Sequence, residues 1–108
     1  MKWDTFITFG KKARENCRKA LAARLALPAS QRFGTLAGIQ MARDIAAGRK
    51  VSARKVAKFF PRWKTRYDAE RAAGRTYRNS KVVGAWYLWG GTEGWREAER
   101  ALMRTRPR

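Results

Sequence analysis

Apolar residues recur along this chain at the spacing of α-helices. The segment "KKARENCRKALAARLAL" is built largely of Ala, Leu, Lys and Arg, all strong helix formers. Within it Ala13, Cys17, Leu21 and Leu25 repeat at every fourth position as an apolar stripe. Pro28 ends this helix, and "PASQRFG" reads as a loop. Thr35 then stands as N-cap before "LAGIQMARDIAAG". Leu36, Ile39, Met41, Ala42 and Ile45 supply the inner side of that helix and Gly48 its C-terminal stop. Arg49 and Lys50 make the turn that follows.

The third helix has the clearest start. Ser52 is its N-cap, with Val51 and Val56 at the two positions of a hydrophobic staple. Val56, Phe59, Phe60, Trp63 and Tyr67 follow at i, i+3, i+4, i+7 and i+11, which predicts a core stripe. Pro61 interrupts it: a proline removes one backbone bond and crowds the preceding turn, so a kink or break is expected near Phe60. "AAGRTYRNS" reads as a loop around Gly74, after which Ser80 caps "KVVGAWYLW", apolar on all sides as a buried central helix is. Gly90 and Gly91 stop that helix. Thr92 is expected to cap the last one, with Glu93 at its positive end and Trp95, Ala98 and Leu102 facing inward.

The pattern therefore predicts an all-α fold: a compact bundle of four to five short helices with a Trp-Gly-Gly helix corner. Residues 1–108 form one domain, with a core of about 11–103 and a basic tail at 104–108. Phe59, Phe60, Trp63, Trp86, Trp89 and Trp95 are its expected structural core. Tryptophans before and after the corner would meet across it, which favours packing over base stacking as their role.

Charge changes the picture. The chain carries 26 Lys+Arg against 8 Asp+Glu, a formal net charge of +18. Such an excess favours polyanions: nucleic acid, anionic lipid or an acidic protein surface. A hydrophobic share of 44% is too high for a disordered basic tail, so this is a folded domain with a cationic surface. The chain has no histidine, which removes imidazole base catalysis and imidazole metal ligation. Its one cysteine, Cys17, precludes an internal disulfide or a Cys-rich zinc site, suits a reducing cytoplasm, and on an apolar stripe reads as a small buried hydrophobe. No apolar run is long enough to span a bilayer, and "MKWDTFITFG" is too short and polar for a signal peptide, so no membrane partner is expected.

The basic excess concentrates in residues 49–81, where twelve Lys/Arg stand against Asp68 and Glu70. On the third helix Lys55, Lys58, Arg62 and Arg66 fall in one narrow arc, roughly a quarter turn from the aromatic stripe. A face with almost no acids predicts phosphate contact rather than a balanced solvated surface. We take Arg54, Lys55, Lys58, Arg62, Lys64, Arg66, Arg75 and Arg78 as candidate nucleic-acid-binding residues, and double-stranded DNA, met through its backbone, as the expected partner. Arg96, Arg100 and Arg104 share one side of the last helix and extend the patch. Arg104, Arg106 and Arg108 make the tail either a phosphate-ordered arm or a frayed end.

Other charged residues read as structural. Arg43 and Asp44 are expected to form an ion pair or capping contact holding the second helix against the third or fourth. Glu93 and Glu97, at i and i+4, could in principle share a metal with Asp68 or Glu70, but two carboxylates on a helix without a third ligand are weak evidence for one. Salt bridges to Arg96, Arg100 or a neighbouring helix explain them better. No catalytic residue, metal or cofactor is predicted.

Two stretches also resemble a known module. "GTLAGIQMARDIAAGRKVSARKVAKFF" and "SKVVGAWYLWGGTEGWREAERAL" are similar to a small helical module of tailed bacteriophages, found alone or joined to head-morphogenesis and prohead-protease-like proteins. The matching positions are Gly34, Thr35, Gly38, Ala42, Arg43, Asp44, Ile45, Ser52, Ala85, Trp86, Leu88, Trp89, Gly90, Gly91, Thr92 and Gly94. The chain departs from the module in having Thr92 where Asp is usual, Pro61 within the aromatic helix, and Gly84 where a branched apolar residue is expected. The resemblance implies a phage gene and a helical fold, and brings no catalytic residues. The expected function is non-enzymatic DNA binding, in host takeover or beside packaged DNA, in the infected cytoplasm or the virion interior. The alternative is a protein–protein module: a head-assembly component, or an inhibitor docking on an acidic or DNA-binding host protein.

Overall fold

In the computed structural model, which describes residues 3–107, three helix starts lie where side chains can satisfy their free N–H groups. Thr35 accepts from Gly38 N before α2 (Leu36–Ala46), Ser52 from Lys55 N before α3 (Ala53–Ala72), and Ser80 from Val83 N before α4 (Lys81–Leu88). With α1 (Lys11–Ala26) and α5 (Gly91–Thr105) they complete an all-α bundle. α1 packs on α2, α4 and α5, and α3 packs on α4 and α5.

The N-terminal segment adds what helical periodicity does not show. β1 (Phe6–Ile7) pairs antiparallel with β2 (Val51–Ser52), Phe6 opposite Ser52 and Ile7 opposite Val51. Asp4 reaches across this ladder, taking the Ser52 hydroxyl and, at 3.0 Å, the Arg54 N–H, and so supplies a second cap to α3. Phe9 is buried, and the Trp3 indole N–H donates to the Leu102 carbonyl at 3.1 Å. The core therefore begins before the expected boundary at residue 11.

Several local expectations are corrected. α3 runs unbroken through Pro61. Phe60, one residue earlier, is locked between Trp86 and Trp95, and tertiary packing holds the turn that the missing N–H weakens. On α1 the buried positions are Ala13, Asn16, Cys17 and Ala20, while Leu25 is 67% exposed. On α2 Leu36 is 87% exposed and Gly38 takes the inner place. Cys17 is buried as expected, donating to the Leu88 carbonyl at 3.3 Å, and burial pushes its thiol up to about 12.

At the corner, Gly90 (φ +106°) and Gly91 (φ +70°) take left-handed conformations that other residues rarely adopt. Gly90, not Thr92, is the N-cap of α5. Thr92 lies in the first turn, where its hydroxyl accepts the Trp86 indole N–H at 3.1 Å. The buried Asn16 pins the corner by donating to Gly90 O at 2.9 Å and to Glu93 Oε1 at 2.8 Å. Gly84 is needed for a different reason: a Cβ there would lie 2.6 Å from the Phe33 ring.

Candidate functional site

Burial divides the expected core aromatics. Phe60 and Trp86 are fully enclosed; Tyr67 stacks on Trp86 at 4.0 Å between ring centroids, and Phe60 meets it edge-on at 4.7 Å. Phe59, Trp63, Trp89 and Trp95 are half-buried and pack against this centre from its edge. The first three form a ladder: Trp89 stacks on Phe59 at 5.0 Å, and Phe59 faces Trp63 at 6.4 Å.

This ladder floors a groove of about 600 Å³ between α3, α4 and the loop entering α2. A second hollow of about 240 Å³ adjoins it, sharing Phe59, Arg62 and Trp89. The helical repeat explains the wall that α3 contributes. Lys55, Lys58, Phe59, Arg62, Trp63 and Arg66 are spaced by three and four residues, so they share a side, while Val56, Ala57 and Phe60 turn to the core. The other side is built by Lys81, Val82 and Ala85 of α4 and by residues 32–35. Gly34 (φ +91°) lets that loop pass close to Leu88, whose Cδ1 would lie 2.5 Å from an added Cβ.

Arg32, Lys55, Lys58, Arg62, Arg66 and Lys81 rim the two hollows, all exposed, and no carboxylate lines either one. The Arg66 guanidinium lies 5.5 Å from the Trp63 ring centroid, a cation–π arrangement. The site thus presents positive charge above half-exposed π-surfaces.

Of the eight sequence candidates, Lys55, Lys58, Arg62 and Arg66 meet at this groove, and four do not. Arg54 sits by Asp4 at the start of α3, and Lys64 pairs with Asp68. Arg75 pairs with Glu70 at 2.5 Å, and Arg78 stacks on Tyr77. Lys64 also borders a separate hollow of about 450 Å³ with Trp95, Arg96 and Arg100, where Glu99 places a carboxylate. In the tail Arg104 is still helical, the Arg106 guanidinium lies 5.9 Å from the Trp3 ring centroid, and Arg108 is outside the described residues.

Sequence reasoning missed Arg32 and Lys81 as rim residues and the aromatic floor as a surface. Arg32, in a loop, had no periodic signal. The floor did have one: Phe59 and Trp63 stand on the edge of the apolar stripe that borders the basic arc.

The acidic residues have specific partners. Glu97 accepts the Gly10 N–H at 2.8 Å and so caps α1, and Glu93 accepts from Asn16; neither forms the expected salt bridge. Asp44 pairs locally with Arg49 at 2.8 Å and accepts from Gln40, while Arg43 is exposed, so the Arg43–Asp44 pair does not clamp helices together. Among the described residues no group of three or more His, Cys, Asp or Glu is placed to hold a metal, and no helix is long and apolar enough to cross a membrane.

No protein-family model, no curated protein and no solved structure matches the chain.

Proposed function

We propose that this protein is a non-enzymatic nucleic-acid binder that engages backbone phosphates through Lys55, Lys58, Arg62 and Arg66, with Arg32 and Lys81 completing the rim. The observation that carries this reading is the one-signed lining of the groove and its adjoining hollow together: six cations and no carboxylate. Each phosphate neutralised there releases condensed counterions, which drives binding without reading base sequence. Glu93 and Glu97 are engaged in holding the corner and α1, a structural use that accounts for them without chemistry. The Gly34–Gly38 and Ala85–Gly94 motifs extend the proposal to a tailed-phage protein acting on host or packaged DNA, in the infected cytoplasm or the virion interior.

Salt titration tests it. Affinity for duplex DNA should fall with salt at a log–log slope of about −0.9 per neutralised phosphate. Replacing Lys58, Arg62 and Arg66 together by Gln should flatten that slope by roughly 2 to 3 and weaken unrelated duplexes alike. Absence of binding at low salt, or an unchanged slope in the triple variant, overturns the reading. The groove would then belong to an acidic protein partner, as in a head-assembly module or a host inhibitor.

A further inference from the structure

We infer that the groove receives unpaired nucleobases, so that the preferred partner is a single strand; this rests on the phosphate reading above and deepens it. Charge alone would serve a duplex equally well. The placement of the rings does not. Phe59, Trp63 and Trp89 are half-buried among exposed cations in one groove, so a ligand that touches the rings meets the charged rim as well. In a duplex each base face is already stacked on its neighbour, and the phosphates meet the rim first. The aromatic floor would stay uncovered. An unpaired base has a free π-face, and its flanking phosphates lie where the rim cations stand.

Three further features fit this occupant. The groove's volume of about 600 Å³ lies within the roughly 300–1,000 Å³ usual for small-molecule sites, large enough for a nucleotide unit. The adjoining hollow, reached over the shared Phe59 and Trp89, continues the same combination of ring and cation for a neighbouring unit. Arg66 already lies over Trp63, and a base entering there extends an existing cation–π stack.

An acidic peptide carrying an aromatic side chain is the competing occupant. It is disfavoured because a rim of six cations around a ladder of rings repeats charge and stacking at successive positions, as a nucleotide chain does. The test uses the full chain with three probes at one salt concentration. These are an oligo(dT) of about 12 nucleotides, within the site sizes of single-strand binders, a duplex of equal length, and inorganic polyphosphate. Oligo(dT) should bind about tenfold more tightly than the duplex and quench tryptophan emission, while polyphosphate binds without quenching. Trp63→Leu should lose about tenfold for oligo(dT) and less for the duplex, which feels only the release of Arg66 from the ring; an equal loss for both overturns the stacking. Should that variant lose its helical circular dichroism, quenching in the wild-type protein decides. Equal binding of all three probes without quenching sinks the stacking inference and leaves the phosphate reading standing. Failure of every nucleic-acid probe removes both. Tighter binding of an aromatic-containing poly-glutamate peptide than of oligo(dT) overturns the single strand in favour of a protein partner.

Discussion

Phe59 and Phe60 are neighbours in sequence and belong to different regions of the molecule. Phe60 is sealed between Trp86 and Trp95 with no exposed surface, while Phe59 stacks on Trp89 and opens onto the groove. Successive helical residues point roughly 100° apart, so one helix supplies both a core and a lining from a single aromatic run. What differs is the cover. α4 and α5 close over the Phe60 side, and the Trp86 N–H finds the Thr92 hydroxyl. Over the Phe59 side the neighbouring surface is cationic, and exposed ammonium and guanidinium groups resist desolvation. A shared residue type therefore does not imply a shared role. Tryptophan is scaffold where it is enclosed and hydrogen-bonded, as at Trp86, and groove lining where its ring stays partly accessible, as at Trp63 and Trp89.

The comparison can be broken most directly at its centre. Trp86→Ala should cost on the order of 3–5 kcal/mol in urea unfolding, because it empties the middle of the Tyr67–Trp86–Phe60 cluster. Iodide should quench the wild-type emission only in part, reaching Trp63 and Trp89 but not Trp86. If Trp86→Ala unfolds no more easily than Trp63→Leu, the two regions are not distinct.

A smaller effect is expected at the corner that supports the closed region. Asn16→Ala removes the donor to Gly90 O and to the Glu93 carboxylate, and should destabilise by about 1–3 kcal/mol. Phosphate binding by the groove should survive in whatever fraction remains folded. A loss of affinity greater than the loss of folded protein would show that the corner and the groove are coupled.

The smallest effect concerns acid. Burial raises the Asp4 carboxyl, but its hydrogen bonds from Ser52, Arg54 N and Thr5 N and the charge of Arg54 outweigh this and hold it below its ordinary 3.8. Burial likewise raises Glu93, yet its own backbone N–H, the Asn16 amide, Lys12 and Arg96 leave it below 4.5. Folding thus favours the ionised form of both. Their stabilisation is complete above the ordinary carboxylate values and is lost as pH falls through the lower folded-state values. The Tm should hold from about pH 7 to pH 5 and fall below about pH 4, and Asp4→Asn should reduce that fall. The groove has no carboxylate in its lining, so the salt slope of binding should be flat from about pH 5 to pH 7. A slope that changes there means a titrating group does line the site.

What the sequence determined by itself is the local part. Thr35, Ser52 and Ser80 start helices because a hydroxyl reaches an N–H only three residues ahead, and such a signal is complete within four residues of chain. The same holds for the Gly90–Gly91 corner, which needs only glycine's access to positive φ, and for the arc of Lys55, Lys58, Arg62 and Arg66, fixed by helical spacing. Tertiary structure decided everything that needed a distant partner. Trp3 bonds to Leu102, Gly10 N to Glu97, and Asp4 to Ser52 and Arg54, none of which any periodicity links. It also decided that Pro61 stays helical, that Leu25 and Leu36 face outward, that Arg32 joins the rim, and that Phe59, Trp63 and Trp89 line a groove. Hydrophobic burial has no direction of its own, and which face of an apolar helix meets water is set by the elements that reach it.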